Sequence, residues 1–241
     1  MIVLFTDFGR EGPYVGQMQA VLHRHAPGVP VVDLLADAPT FDIQAAAYLL
    51  PALSAEFDPG DVFVCVVDPG VGGSRPPLAL QADGCWYVGP GNGLFELVRR
   101  RADATACWEI TWRPERLSAS FHGRDLFAPV AARLARGEAP PGEAVAPATA
   151  AQCDWPDDLP AVIYVDGYGN AMTGLRGSQV AATAGLAVAG RTLASARTFS
   201  DRAEGEPFWY VNANGLVEIA VNRGNAAALL GLAPGTPLTL T

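Results

Sequence analysis

The chain has 241 residues, half of them hydrophobic, enough to bury one large core or two smaller ones. A formal net charge of −9 argues against nucleic acid and anionic membrane surfaces as partners, and four cysteines without CxxC pairing beside only three histidines argue against a zinc site. No charged, then apolar, then small-residue leader opens the sequence and the long uncharged stretches carry Gly, Pro and Thr, so a soluble, cytoplasmic protein without a membrane span is expected.

In chain order, Ile2–Phe5 reads as a short apolar strand ending in the polar loop Thr6-Asp7-Phe8-Gly9. Tyr14–His25 has helical spacing at Val15, Met18 and Leu22 and stops at Ala26-Pro27-Gly28. Pro30–Leu35 is a second strand. Thr40 is the expected N-cap of a helix carrying Ile43, Ala46, Ala47 and Leu50 on one face, which Pro51 is expected to kink or end. Asp58-Pro59-Gly60 turns the chain into Val62–Val67, a β-branched run that reads as a buried strand of a parallel sheet, with Cys65 a reduced thiol inside it. The order β-α-β-α-β predicts an α/β domain, a mostly parallel sheet with helices on its faces.

Beyond Arg75 the pattern changes. Leu78–Gln81 and Cys85–Val88 flank Asp83-Gly84, a hairpin signal. A helix from about Leu94 to Arg101, a strand at Ala106–Trp112 and a helix with Phe127, Val130, Ala131 and Leu134 inward follow. Pro129 fits that last helix only in its first turn. The N-terminal domain is expected over 1–140 and a linker over 141–160, where Ala, Pro and Gly accumulate without a period. Residues 161–241 carry short β-type runs at Ala161–Val165, Leu186–Ala189, Phe208–Val211, Leu216–Val221 and Leu238–Leu240, and a short helix at Ala226–Leu230. They predict a smaller, all-β, barrel-like domain.

The polar signals gather at loops. Val66–Arg75, VVDPGVGGSR, leaves the buried strand with one carboxylate, Asp68, three glycines and Arg75. In open α/β sheets ligands sit at that end of the strands, although an ion pair pinning the loop is an equally available reading. Asp7 at the first strand's end is either a loop aspartate or an acceptor for a ribose diol. His122, before a helix, is either structural or a proton relay near Asp68. Asp166-Gly167-Tyr168-Gly169-Asn170 is either a plain turn or a site in which the Asn170 amide reads a base edge while Tyr168 and Phe199 offer flat faces to it.

Taken together, seven segments in order resemble the S-adenosylmethionine hydroxide adenosyltransferase family, relatives of the fluorinase and chlorinase enzymes. They are Phe5–Gly9 with Tyr14-Val15-Gly16, Phe41-Asp42-Ile43, Val67–Gly72 with Arg75, Gly89-Pro90 with Asn92-Gly93, Phe121–Asp125, Asp166 with Gly169-Asn170, and Glu218–Asn222. The resemblance implies hydrolysis of S-adenosylmethionine to adenosine and L-methionine without metal or other cofactor. It also implies a homotrimer with sites between the N-domain of one subunit and the C-domain of the next. Asp68, Arg75 and His122 match the family's water-activating set. Asp7 matches its ribose-binding aspartate, Phe41 an aromatic beside the ribose and methionine chain, and Asp166 the carboxylate for the methionine ammonium. Asn170 matches an adenine-reading residue with Tyr168 and Phe199 near the base, and Phe8, Phe121, Asn214 and Val221 complete the expected substrate-binding set. The halogenating relatives have tyrosine at the positions of Asp68 and His122, so the resemblance favours water over halide as nucleophile. A halide-using transferase and a non-catalytic nucleoside-binding module are the alternatives. The chain departs from the family pattern at Glu11-Gly12-Pro13, at Leu34–Asp37, at Gly91 and at Ala213, where the halogenases carry the serine that holds the methionine carboxylate.

Overall fold

The computed structural model describes residues 1–150 and 154–241, so Cys153 and part of the expected linker lie outside the described residues. The chain divides into two compact units, Met1–Leu50 with Glu56–Cys153, and Pro51–Ala55 with Asp154–Thr241.

The chain opens with β1 (Ile2–Thr6), α1 (Tyr14–His25), β2 (Val31–Leu35), α2 (Ile43–Ser54) and β3 (Val62–Val66), all in the first unit except the last turn of α2. Every residue of β1 and β3 is buried, as continuous apolar runs covered on both faces require. Asp42, not Thr40, caps α2: its Oδ1 accepts the Ala45 N–H at 2.9 Å. Phe41 adopts a left-handed backbone (φ 59°), which separates Thr40 from the helix and leaves Asp42 at the cap. Pro51 does not end α2 but lies inside it, near enough to the C-terminus that its missing N–H removes one bond from the closing turns.

The hairpin forms as expected. β4 (Pro77–Ala82) and β5 (Cys85–Pro90) meet with Ala82 opposite Cys85, and Asp83 (φ 47°) and Gly84 (φ 88°) are both left-handed, as a two-residue turn of matching twist needs. α3 (Glu96–Arg101), β6 (Thr105–Ile110), α4 (Ala128–Ala135) and β7 (Gly142–Val145) follow. The sheet is mixed, in the order β2-β1-β3-β5-β4-β6-β7: β2, β1, β3 and β5 run parallel, and the hairpin turns the remaining strands antiparallel. β7 lies in the stretch expected to be a connection. Its four residues are partly exposed and have no hydrophobic period, so pairing with β6 alone defines it. Ile2, Leu4, Val62 and Val64 form a core with Met18 and Leu22 of α1 and Val130 and Leu134 of α4.

α4 is entered through a wide turn, Gly123–Phe127, in which the Ala128 N–H reaches back five residues to the Gly123 carbonyl. Pro129 stands in the first turn of α4, where its lack of an N–H matters least. Such five-residue turns often occur at functional sites, and His122 immediately precedes this one.

The second unit contains β8 (Leu159–Val165), β9 (Ala171–Arg176), β10 (Leu186–Val188), β11 (Arg191–Leu193), β12 (Pro207–Val211), β13 (Leu216–Val221), α5 (Ala226–Leu230) and β14 (Thr239–Leu240). They form two antiparallel sheets, β12-β13-β9-β8 and β11-β10-β14. Single bridges join them at both sides, Ser195 to Trp209 and Ala161 to Pro237, closing a barrel-like wall around Trp209, Val217, Ile219, Leu186 and Leu193. The sequence reading missed β9 and β11. Gly174 interrupts β9, where a Cβ would lie 2.6 Å from the Leu159 side chain, and β11 has only three residues.

Gly89 shows how tightly the parallel strands pack: a Cβ there would sit 2.2 Å from the Cys65 carbonyl oxygen of β3. Gly89→Ala is expected to destabilise the protein by roughly 1–3 kcal/mol. A lowered denaturant midpoint at unchanged slope would register it.

Candidate active site

β3 ends at the sheet's carboxyl edge and delivers Asp68 there. The Asn92 amide donates to the Val67 carbonyl at 2.9 Å and so anchors the strand end. The glycine loop then folds back on itself, with Val71 N–H bonding the Asp68 carbonyl at 3.2 Å. Gly72 (φ 80°) passes so close to the Ala119 carbonyl that a Cβ would lie 2.6 Å from it, so the loop can be built only with glycine there. The loop returns Arg75 to Asp68. Arg75 Nε lies 3.1 and 3.0 Å from the two carboxylate oxygens, and an Nη atom makes a further short contact with Oδ2. The same Nη2 lies 2.9 Å from His122 Nδ1.

Arginine has only donors, so His122 Nδ1 must accept this bond and the ring proton of the neutral imidazole sits on Nε2. Burial and the adjacent guanidinium hold the His122 pKa below its ordinary value, with Asp68 opposing in part. The side chains of Asp68 and Arg75 are only 3% and 10% exposed. Arg75 also packs over the Phe127 ring, 5.4 Å from its centroid.

Asp68 and His122 line a pocket of about 350 Å³ together with Asp7, Phe8, Tyr14, Thr40, Phe41 and Phe121. Arg75 is not in its lining and bridges the two residues that are. Asp7 accepts the Phe41 N–H at 3.1 Å. Its pKa is raised, mainly by burial, with the Phe41 bond opposing and Asp68 adding to the rise. Phe41 is left-handed and 72% exposed, a strained conformation for a bulky side chain. Phe8, Tyr14 and Phe121 form a mutually tilted trio with centroids 5.4–5.8 Å apart.

The remaining expected residues assemble in the second unit, around a pocket of about 670 Å³ lined by Asp166, Tyr168, Asn170, Phe199, Asn214 and Val221, among others. Asp166 is the hub of its loop: it accepts the backbone N–H groups of Tyr168 and Asn170, both at 2.9 Å, and the Asn170 side-chain amide at 3.0 Å. The Asn170 Nδ2 thus bonds within its own loop, which limits the donor role expected of it towards a base. Tyr168 is 82% exposed. Phe199 packs against Phe208 and Tyr210 at 5.3 Å.

Sequence reasoning named Glu218 only as the start of a matching segment, not as a site residue, and passed over Tyr210 and Asn212; all three line the same pocket. Glu218, on β13, is 2% exposed and accepts from the Tyr210 hydroxyl and, at 2.7 Å, from the Asn212 amide. Burial raises the Glu218 pKa against those two bonds, and Asp166 adds to the rise. Asn212 Oδ1 in turn holds the N–H groups of Asn214 and Leu216, both at 3.0 Å. The available signal was a lone carboxylate inside the apolar run Leu216–Val221. Among the described residues, no group of three or more His, Cys, Asp or Glu gathers to hold a metal ion, and no helix is long and apolar enough to cross a membrane. Cys65, Cys85 and Cys107 are buried free thiols.

The fold and the array define an α/β protein with a barrel-like β-unit and a carboxylate–guanidinium–imidazole array at the carboxyl edge of its sheet. Residues 2–144 match the N-terminal domain of SAM hydroxide adenosyltransferase and residues 160–239 its C-terminal domain. An (R)-S-adenosyl-L-methionine hydrolase from Thermus thermophilus is 40% identical over 99% of this chain and 98% of its own, and one from Salinispora arenicola is 39% identical over 98% and 95%. Fluorinases match at 23–24% identity. The crystal structure of an uncharacterized conserved protein from Thermotoga maritima superposes with a TM-score of 0.90 at 29% identity, covering 100% of this chain and 99% of that one. The chain belongs to the SAM hydroxide adenosyltransferase family.

Phe41→Gly removes both the strain and the ring. It is expected to raise stability by about 1 kcal/mol while weakening substrate affinity roughly tenfold. Thermal unfolding and substrate titration of the same variant would show the two changes with opposite sign.

Proposed function

We propose that the protein hydrolyses S-adenosylmethionine to adenosine and L-methionine, taking the (R) configuration at sulfur that the names of its relatives specify. The observation that carries the reading is the Asp68–Arg75–His122 array, opening on a pocket through its carboxylate and imidazole.

The sulfonium leaves as a neutral thioether, so no acid is required at the leaving group. The reaction needs a water aligned with the C5′–S bond, and such alignment can lower a barrier by up to roughly 7–11 kcal/mol. Asp68 accepts one hydrogen of this water, and His122, with its proton on Nε2, orients it as a donor. As oxygen bonds to C5′, the C5′–S electron pair moves to sulfur and the water's proton passes to Asp68. Arg75 holds carboxylate and imidazole at fixed separation and, by donating to Nδ1, keeps His122 neutral. It acts through those two residues and does not touch substrate. Asp7 accepts the ribose diol beside the exposed Phe41 ring. In the second unit, Asp166 receives the substrate ammonium and the aromatic wall at Tyr168 and Phe199 receives the adenine. Phe8, Phe121, Asn170, Asn214 and Val221 complete the walls.

We further propose a homotrimer in which the Asp68 pocket of one subunit and the Asp166 pocket of another share one substrate. The family resemblance and the division of the required groups between two pockets support this.

In oxygen-18 water, with or without chloride, the product is expected to be adenosine carrying one label. A chlorinated nucleoside would instead place the protein among the halide users. Asp68→Asn should lower kcat by about 10²–10⁴-fold at nearly unchanged KM; near-wild-type turnover would remove Asp68 from the base role. Shared sites also predict complementation. Co-refolding Asp68→Asn with Asp166→Ala chains should restore up to roughly a quarter of wild-type activity, because one active pairing in four combines two intact halves. Two inactive variants that stay inactive when mixed would place the whole site within one chain.

A further inference from the structure

The trio Phe8–Tyr14–Phe121 is built as a rigid unit. Its three rings are tilted 59–88° to one another at 5.4–5.8 Å, so each ring meets an edge or slanted face of its neighbours. Arg124 fixes it from one side: the guanidinium lies 4.9 Å over Phe121 and is itself bonded to Asp125 and, at 3.0 Å, to Gln17. All three rings line the pocket that contains Asp68 and His122, and Tyr14 remains half-exposed at the start of α1. A hydrolysing triad alone does not require such a wall.

The substrate's sulfur has four directions: C5′, the amino-acid arm, the methyl group and the lone pair. With the nucleoside and the arm held in their subsites, inversion at sulfur exchanges only the methyl group and the lone pair. A methyl on a sulfonium carries part of the positive charge and is attracted to aromatic faces, whereas a lone pair facing the same rings is repelled. Asp7 and Phe41, which line the same pocket, are taken up by the ribose in the reading above.

We propose that Phe8, Tyr14 and Phe121 select the configuration at sulfur, by receiving the methyl group of the (R) epimer against the aromatic trio. This inference rests on the proposed hydrolysis of S-adenosylmethionine and adds to it the residues that decide which epimer is cleaved. The (S) epimer presents its lone pair to the rings and directs its methyl towards the ribose side, which moves C5′ out of line with the water. One methyl group in an apolar wall supports discrimination of about 10–200-fold.

The test measures kcat/KM for both sulfur epimers, separately purified, with wild-type protein, Tyr14→Leu and Phe8→Leu. The wild type is expected to favour (R) at least tenfold, and each substitution to reduce the ratio by about tenfold, chiefly by loss of (R) turnover. A substitution that only loosens the fold would lower both epimers together; an unchanged ratio in both variants, or a wild type indifferent to configuration, would overturn the proposal. The Kd values of the two epimers for the Asp68→Asn protein and for its Tyr14→Leu double variant separate this inference from the hydrolysis itself. If wild-type protein turned over neither epimer, the hydrolysis reading would fall, while an (R)-to-(S) affinity ratio that collapsed on losing Tyr14 would still uphold selection by the trio.

Discussion

The site depends on one guanidinium. Arg75 spans a carboxylate from the end of β3 and an imidazole from the turn before α4, two groups 54 positions apart in the chain. Three charged or ionisable side chains in a mostly buried position are costly unless each is paired, and the planar fork meets that need by donating to both partners at once. Lysine, a point charge on a flexible stem, cannot reproduce it. The surroundings serve this geometry: Asn92 fixes the strand end, glycine at 72 lets the loop pass Ala119, and Phe127 covers the guanidinium. The donor-only character of arginine also settles the tautomer of His122: Nδ1 accepts and the ring proton sits on Nε2.

The second unit answers a different electrostatic demand. Its pocket contains two carboxylates, Asp166 and Glu218, and one arginine, Arg223, which is exposed and paired with Glu204 at 3.3 Å. The balance suits a cationic ligand. The two acids are held differently. Asp166 organises its own loop through backbone amides, whereas Glu218 reaches from inside β13 to fix Tyr210 and, through Asn212, the turn at Asn214. Ala213 stands in that turn, where Asn212 holds the backbone N–H of Asn214.

Much of this was legible in the sequence because it is local. Continuous apolar runs gave β1 and β3, the 3.6 period gave α1 within its observed bounds, and Asp83-Gly84 gave the hairpin. What escaped was set by tertiary contact. β7 exists because β6 offers an edge, β9 tolerates Gly174 because Leu159 packs over it, and the cap of α2 moved to Asp42 because Phe41 turns left-handed above Asp7. The loop carboxylates announced themselves by standing at strand ends among glycines. Glu218 did not, since it sits mid-strand at a core position and only the three-dimensional arrangement reveals the hydroxyl and amide that satisfy it.

Two of the misread positions, the cap of α2 and the turn into α4, fall at the Asp68 pocket, and there is a physical reason for this. Phe41 keeps a strained backbone because its N–H bonds Asp7 and its ring is left out in solvent at the pocket rim. The wide turn after His122 breaks the regular period of α4 just where the imidazole must meet Arg75. Local preference is set aside at both points, and at both the gain is the direction of one side chain towards the pocket. Rules of propensity and capping describe what stabilises a chain segment by itself, so they fail first where the fold holds a segment for its ligand. The left-handed Phe41 and the turn that follows His122 therefore lie at the same pocket that Asp68 and His122 line.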